Sequence, residues 1–206
     1  MKITAVILAA GTSSRMAAGN KLLLDYGERT VIEQVLLNTA DSNVDDVLVV
    51  TGYESDRLQD KLKNHLTERI RLVHNADYQR GRAASIKCAV RNLGEDVDAV
   101  LFMVADKPAV PSILINRAFD MFCQGRPAIL YVRTPSGRGH PIIFDRSLFG
   151  ELLTLEGDRV GDELIARHRD RVCELEDSVD QVDVNTEKDY RAVVATLAKS
   201  EPGGMT

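Results

Sequence analysis

The sequence predicts a single α/β domain built on a mostly parallel sheet with helices on both faces. Three observations lead there. The 206 residues are 44% hydrophobic and 28% charged, an ordinary globular composition at a length suited to one domain. Short apolar runs alternate with amphipathic helical stretches along the chain, as strands buried on both faces require. Two of these runs stop abruptly, at Gly11 and at Asp106, and the carboxyl ends of strands are where such sheets bind ligands.

Each element follows from local pattern. Ala5 to Leu8 is a buried strand, and Val31, Ile32, Val35 and Leu36 recur at helical spacing. Val47 to Val50 is a second strand, followed by a charged helical segment from Asp56 to Leu66. Ile70 to Val73 is a third strand, and Ala83 to Leu93 forms a helix that begins after Gly81. Ala99 to Ala105 is the most apolar run; a helix from Pro111 to Phe122 and a strand from Ala128 to Val132 come next. Pro135 to Gly139 reads as a loop and Ile142 to Phe144 as a strand. Two short helices, strands near Val172 and Val182, and a helix from Thr186 to Lys199 complete the domain, 1–199, leaving 200–206 as a frayed tail.

Composition excludes several classes. With 26 basic against 31 acidic residues the net charge is -5, so no nucleic-acid surface is expected, although a local basic pocket is compatible with it. Trp is absent and aromatic residues make up 5%, so aliphatic side chains fill the core. Cys88, Cys123 and Cys173 form no CxxC or Cys/His cluster, and reduced thiols in a cytoplasmic protein are expected. The apolar N-terminal run is too short for a membrane span and lacks a signal-peptide layout.

Four stretches carry candidate chemistry. Leu8-Ala9-Ala10-Gly11-Thr12-Ser13-Ser14-Arg15-Met16 follows the first strand, with Asn20-Lys21 downstream. Small residues there bring backbone N–H groups close to an anion, and Arg15 and Lys21 add charge suited to a triphosphate. A flexible loop with two solvated cations is the other reading of that composition, since neither GxxxxGK[ST] nor GxGxxG is present. Asp106 suits Mg2+ or the cap of the next helix. Alternation along a strand places Asp183 and Asn185 on one face, while Thr186 and Asp189 can form a capping pair. Gly81 to Ile86 is otherwise an ordinary helix start with Arg82 a surface charge. His140, in Gly137-Arg138-Gly139-His140-Pro141, is by itself a loop histidine; His65, His74 and His168 have no partner pattern.

The string Leu8-Ala9-Ala10-Gly11-x-Ser13-x-Arg15-Met16 with Asn20-Lys21-Leu22-Leu23 resembles the MobA-like nucleotidyltransferases, and among them the molybdenum cofactor cytidylyltransferases. Ala17 stands where a Gly is usual. The resemblance implies a Rossmann-like three-layer sandwich of the nucleotide-diphospho-sugar transferase type. It implies that Leu8 to Arg15 wrap the nucleotide and that Lys21 neutralises its phosphates. The family's Ala-Asp-x-Pro is matched by Ala105, Asp106 and Pro108, which implies a metal-binding Asp106. Asp183-x-Asn185-Thr186 stands for Asp-x-Asp-Thr or Asn-x-Asn-Thr, with Asp183 the stronger ligand candidate because it carries charge. Gly81 and Ser85 match a turn against base and ribose, although Ala83 and Ala84 replace hydroxyl residues. Gly139-His140-Pro141 matches the Gly-His-Pro near the acceptor. Gly157-Asp158-Arg159 matches a Gly-Asp-Lys/Arg turn, but Val160 replaces the Gly that follows.

The implied activity is Mg2+-dependent nucleotidyl transfer to an acceptor phosphate. CTP is favoured as donor and the molybdopterin cofactor as acceptor, and a molybdoenzyme or its accessory protein is a further partner. Catalysis is assigned to Arg15, Lys21 and Asp106. Two alternatives stand beside it: transfer from GTP or to a sugar phosphate, and a non-catalytic protein that binds molybdenum cofactor. Ala83, Ala84 and Val160 suit the last, and the retained Arg15, Lys21, Asp106 and Asp183 oppose it.

Overall fold

The computed structural model describes residues 1–16, 19–158 and 160–200. Along the chain come β1 (Ile3–Ala9), two-residue strands β2 (Asp25–Tyr26) and β3 (Arg29–Thr30), α1 (Val31–Ala40), β4 (Asp46–Thr51), α2 (Ser55–Leu62) and β5 (Ile70–His74). Then follow α3 (Arg82–Arg91), β6 (Ala99–Val104), α4 (Ser112–Gly125), β7 (Ile129–Thr134) and β8 (Gly137–Asp145). The last elements are α5 (Phe149–Leu152), α6 (Val160–Arg167), β9 (Val172–Glu176) and α7 (Glu187–Ser200). Seven strands form one sheet in the order β5-β4-β1-β6-β8-β7-β9, and β2 and β3 pair separately. Every pairing in the large sheet is parallel except the two made by β8.

Alternation along the central strands feeds two cores. Ile3, Ala5, Ile7 and Ala9 of β1 pack with Val31, Val35, Leu114, Ile115 and Phe122 of α1 and α4. Val6 of β1 and Val100 and Phe102 of β6 turn the other way, toward Ala83, Ile86 and Ala89 of α3 and Leu152 and Leu164 beyond. All six residues of β6 are buried, and a fully buried aliphatic or aromatic side chain contributes about 1.5–3 kcal/mol. The sheet is therefore covered on both faces, as its unbroken apolar runs predict. Thr30 opens α1 with its N–H and hydroxyl both donating to Glu33, at 2.8 and 2.7 Å.

Two expectations need correction. Only Pro135 and Ser136 form the expected loop; Gly137 to Gly139 already belong to β8. That strand pairs with β7 across a register shift that leaves His140 and Pro141 unpaired, a bulge that frees Pro141 from the ladder hydrogen bond it cannot donate. There is no strand at Val182. The segment instead runs beside the end of β6, held by a 2.9 Å hydrogen bond from Val184 N to Asp106 O. Ser200 ends α7, and the rest of the expected tail, 201–206, lies outside the described residues with Ala17, Ala18 and Arg159.

Candidate active site

A cavity of about 670 Å³ opens at the carboxyl ends of β1 and β6. Its lining brings together Leu8 to Thr12, Arg15, Lys21, Gly81, Ser85, Asp106, His140, Asp158, Asp183 and Asn185, residues scattered over 178 positions of sequence. The end of β1 is fixed by backbone bonds from Ala105 N to Leu8 O at 3.1 Å and from Tyr53 N to Ala10 O at 3.4 Å. Gly52 is required behind it: a Cβ there would lie 2.5 Å from Tyr78 Cβ and 2.8 Å from Ala10 Cβ.

Four expected site residues lie off the lining: Ser13, Ser14, Gly139 and Pro141. Ser13 works from behind. Its backbone has φ of 52°, and its Oγ accepts from Lys21 N at 3.2 Å and approaches Asn20 Oδ1 at 3.4 Å. Asn20 Oδ1 in turn accepts from Leu22 N at 3.1 Å. The short helical turn Lys21–Leu23 is thereby tied to the loop that carries Arg15. Gly139 makes room for Gln181: a Cβ there would sit 2.8 Å from Gln181 Oε1. Gln181 accepts from His140 N at 2.7 Å and donates to His140 O at 2.6 Å.

Cations and carboxylates meet at the cavity floor. Lys21 Nζ pairs with Asp106 Oδ2 and donates to Asn185 Oδ1 at 2.9 Å, and Arg15 Nη2 reaches the same Asn185 oxygen at 2.9 Å. Asp106 is not a helix cap, since α4 begins only at Ser112 after Pro111. Lys107, 8% exposed, lies 3.1 Å from Asp183 Oδ1, an ion pair whose angles leave that buried oxygen without a hydrogen bond. Thr186 and Asp189 do form the capping pair at the start of α7, so the segment both caps a helix and delivers Asp183 and Asn185.

Asp158, on the cavity lining, also holds a helix start. Its Oδ1 accepts from Arg82 N at 2.8 Å, and Ala83 N donates to Gly157 O at 2.9 Å. The turn thus satisfies the N-terminus of α3. Ser85 is buried and accepts from Asn75 Nδ2 at 3.1 Å. Sequence reasoning missed Tyr78, Lys107, Arg138 and Gln181 and read Arg82 as a surface charge. Arg138 and Lys107 stood inside quoted motifs; Gln181 and Tyr78 carried no local signal.

A buried, small-residue strand end facing carboxylates and lysines on an α/β sheet is the arrangement of a nucleotidyltransferase. The chain belongs to the family of the MobA-like NTP transferase domain, whose model matches residues 5–172. It is similar to the molybdenum cofactor cytidylyltransferase of Escherichia coli, with 26% identity over 144 residues and 70% of each chain covered. It is equally similar, at 26% over 198 residues, to a nicotine blue oxidoreductase of Paenarthrobacter nicotinovorans, with 92% of this chain and 95% of that one covered. Among solved structures, Rv0371c of Mycobacterium tuberculosis superposes with a TM-score of 0.84 at 28% identity, covering 95% of this chain and 98% of its own. A manganese complex of the same protein gives 0.81 at 27%, with 95% and 100% covered. No helix among the described residues is long and apolar enough to cross a membrane.

Proposed function

We propose that the protein transfers a cytidylyl group from CTP to a terminal phosphate of an acceptor, with the molybdopterin cofactor the favoured acceptor, and releases pyrophosphate. The observation that carries this reading is the union, in one cavity, of Gly11, Thr12, Arg15 and Lys21 with Asp106 and Asp183. The similarity to the Escherichia coli cytidylyltransferase supports the donor and acceptor. An acceptor phosphate oxygen attacks the α-phosphorus, the bond to the bridging oxygen breaks, and pyrophosphate leaves. No protein nucleophile takes part; the chain aligns two anions and neutralises their charge. Arg15 and Lys21 would stabilise the charge that moves onto the pyrophosphate.

A divalent cation fits the residues present. Asp183 Oδ1 is a buried oxygen without a hydrogen bond, and Asp106 faces the same cavity. Among the described residues no three His, Cys, Asp or Glu side chains make a closed metal cage. Two carboxylates completed by phosphates is the usual way to hold Mg2+. Asp183 is preferred to Asn185, whose oxygen already serves Lys21 and Arg15. The manganese complex of Rv0371c supports a divalent ion, and Mg2+ is our choice. Such an ion supplies Lewis-acid stabilisation on the order of several kcal/mol.

The test is pyrophosphate release with CTP and Mg2+, with and without molybdopterin cofactor. Release that depends on the cofactor is expected. Cofactor binding with no release from CTP or GTP would favour a non-catalytic carrier, and release with a sugar phosphate alone would move the acceptor to that class.

A further inference from the structure

The two carboxylates offered to a cation are each paired with a lysine. Lys21 Nζ pairs with Asp106 Oδ2, and Lys107 Nζ lies 3.1 Å from Asp183 Oδ1. The lysines differ in what else holds them. The second partner of Lys21 is another side chain, Asn185, at 2.9 Å, so a swing of its flexible stem exchanges both for phosphate oxygens. Lys107 is 8% exposed and donates to a main-chain carbonyl, Gln181 O, at 3.3 Å. Gln181 is itself clamped to both backbone groups of His140. Lys21 is transferable; Lys107 is resident.

Charge decides what such a site admits first. The cavity lining carries five Lys and Arg side chains against three carboxylates, Asp106, Asp158 and Asp183. Burial, with Lys107, Arg82 and Arg138 nearby, holds the His140 imidazole down to about 3, so it adds no charge at neutral pH. A polyphosphate is drawn to this excess, whereas a bare dication is repelled by it. At the carboxylates themselves the two ammonium groups cancel the charge that would attract a metal ion. Once a triphosphate draws Lys21 away, Asp106 is released and phosphate oxygens complete the ligand set.

We propose that Lys107 is a resident counter-charge, positioned on Asp183, that makes divalent-cation binding conditional on a bound triphosphate. The identity of that anion rests on the nucleotidyltransferase reading; the action of Lys107 on the cation does not. Lys107 stands at the open position of Ala105-Asp106-x-Pro108, so this control belongs to the chain's own residue and not to the motif. It keeps the metal from entering ahead of the nucleotide.

The experiment is a Mn2+ titration followed by electron paramagnetic resonance, without nucleotide, on wild type and three Lys107 variants. Lys107→Met and Lys107→Gln are expected to bind Mn2+ roughly tenfold or more tighter than wild type. Lys107→Arg keeps the charge and is expected to bind as weakly as wild type. Unchanged affinity in the two neutral variants overturns the proposal, and so does an arginine variant that tightens as they do. Adding Asp183→Asn to Lys107→Met is expected to erase the gain, and a gain that survives overturns the link to Asp183. A second measurement needs no variant to fold. A CTP analogue with a methylene between the α and β phosphorus atoms is expected to tighten the hold of the wild type on Mn2+ about tenfold, read by water proton relaxation. Equal Mn2+ affinity with and without the bound analogue overturns the proposal. An analogue that fails to bind sinks the donor reading, and the Mn2+ titrations without nucleotide still decide Lys107.

Discussion

Lys21 and Asn185, 164 positions apart in the chain, are joined by a 2.9 Å hydrogen bond from Nζ to Oδ1. Through that one oxygen, which Arg15 also reaches, the segment before α7 sets where the two cations of the β1 loop point. Asn185→Ala removes the shared acceptor without touching the core. We expect CTP turnover to fall about tenfold through a raised KM for CTP, with the melting temperature unchanged. Steady-state kinetics with CTP varied at fixed acceptor measures it. An unaltered KM would detach Asn185 from the nucleotide.

Asp106→Asn keeps the side chain's shape and removes its charge. The side chain projects past β6 into the cavity, so folding is expected to be unaffected and kcat to fall roughly 100- to 1,000-fold. Mn2+ binding in the presence of CTP, followed by electron paramagnetic resonance, is expected to weaken in parallel. Wild-type turnover at saturating Mg2+ would remove Asp106 from metal binding.

Gly52→Ala places a methyl group against Tyr78 and Ala10 at distances no packed carbon tolerates. Overpacking of this kind costs about 1–3 kcal/mol, and each kcal/mol lowers the melting temperature by about 2–4 °C at this chain size. The lower melting temperature is expected together with weaker CTP binding, since both displaced residues line the cavity. Calorimetric scanning and a CTP titration read the two effects separately.

His140 predicts an acid-side instability. Its pKa is depressed to about 3 in the folded protein, against about 6.5 unfolded. Stability from the neutral ring is complete above pH 6.5 and is lost as pH falls toward 3, because the unfolded chain binds the proton first. Between pH 7.5 and 5.0 the wild type is expected to lose about 2 kcal/mol more than His140→Phe. Urea denaturation of both at the two pH values checks it. Equal losses would place the buried ring elsewhere.

The donor base is tested at Ala10. Ala10 is one of the cavity's lining residues, and its methyl group packs beside Gly52. CTP is expected to outcompete GTP, and Ala10→Gly to narrow the preference by roughly 10-fold, the worth of one methyl group in a pocket. Competition at equal nucleotide concentration decides it, and a wild-type preference for GTP would transfer the reading to guanylyl transfer.

The central strands were legible because burial on both faces writes itself into sequence as unbroken apolar runs, and Ala99 to Val104 is the clearest case. Gly11 and Asp106 were legible because small or charged residues end those runs at the ligand edge. The direction of β8 was not, since an apolar triplet such as Ile142 to Phe144 reads the same both ways. The supposed strand at Val182 shows the reverse error. Val184 is fully buried while Val182 is 41% exposed, so alternation is real, but only one backbone hydrogen bond to the end of β6 supports it. Gln181 and Tyr78 were hidden because each acts by packing against residues distant in sequence, Gln181 on His140 and Tyr78 on Gly52. Asp158 was found as a motif, but its bond to the start of α3 was not legible, because Arg82 lies 76 positions away.

The reversed strand β8 has a consequence for how this site can change. Because β8 runs against its neighbours, its first residues arrive at the same rim as the last residues of β1 and β6, through a hairpin whose turn is only Pro135 and Ser136. The rim is thus furnished from two independent sources: strand exits on one side and a hairpin on the other. Lengthening or shortening that hairpin would re-aim Arg138 and His140 while leaving the Leu8–Lys21 loop untouched. Within one scaffold, the hairpin side of the rim can change while the strand-exit side stays fixed.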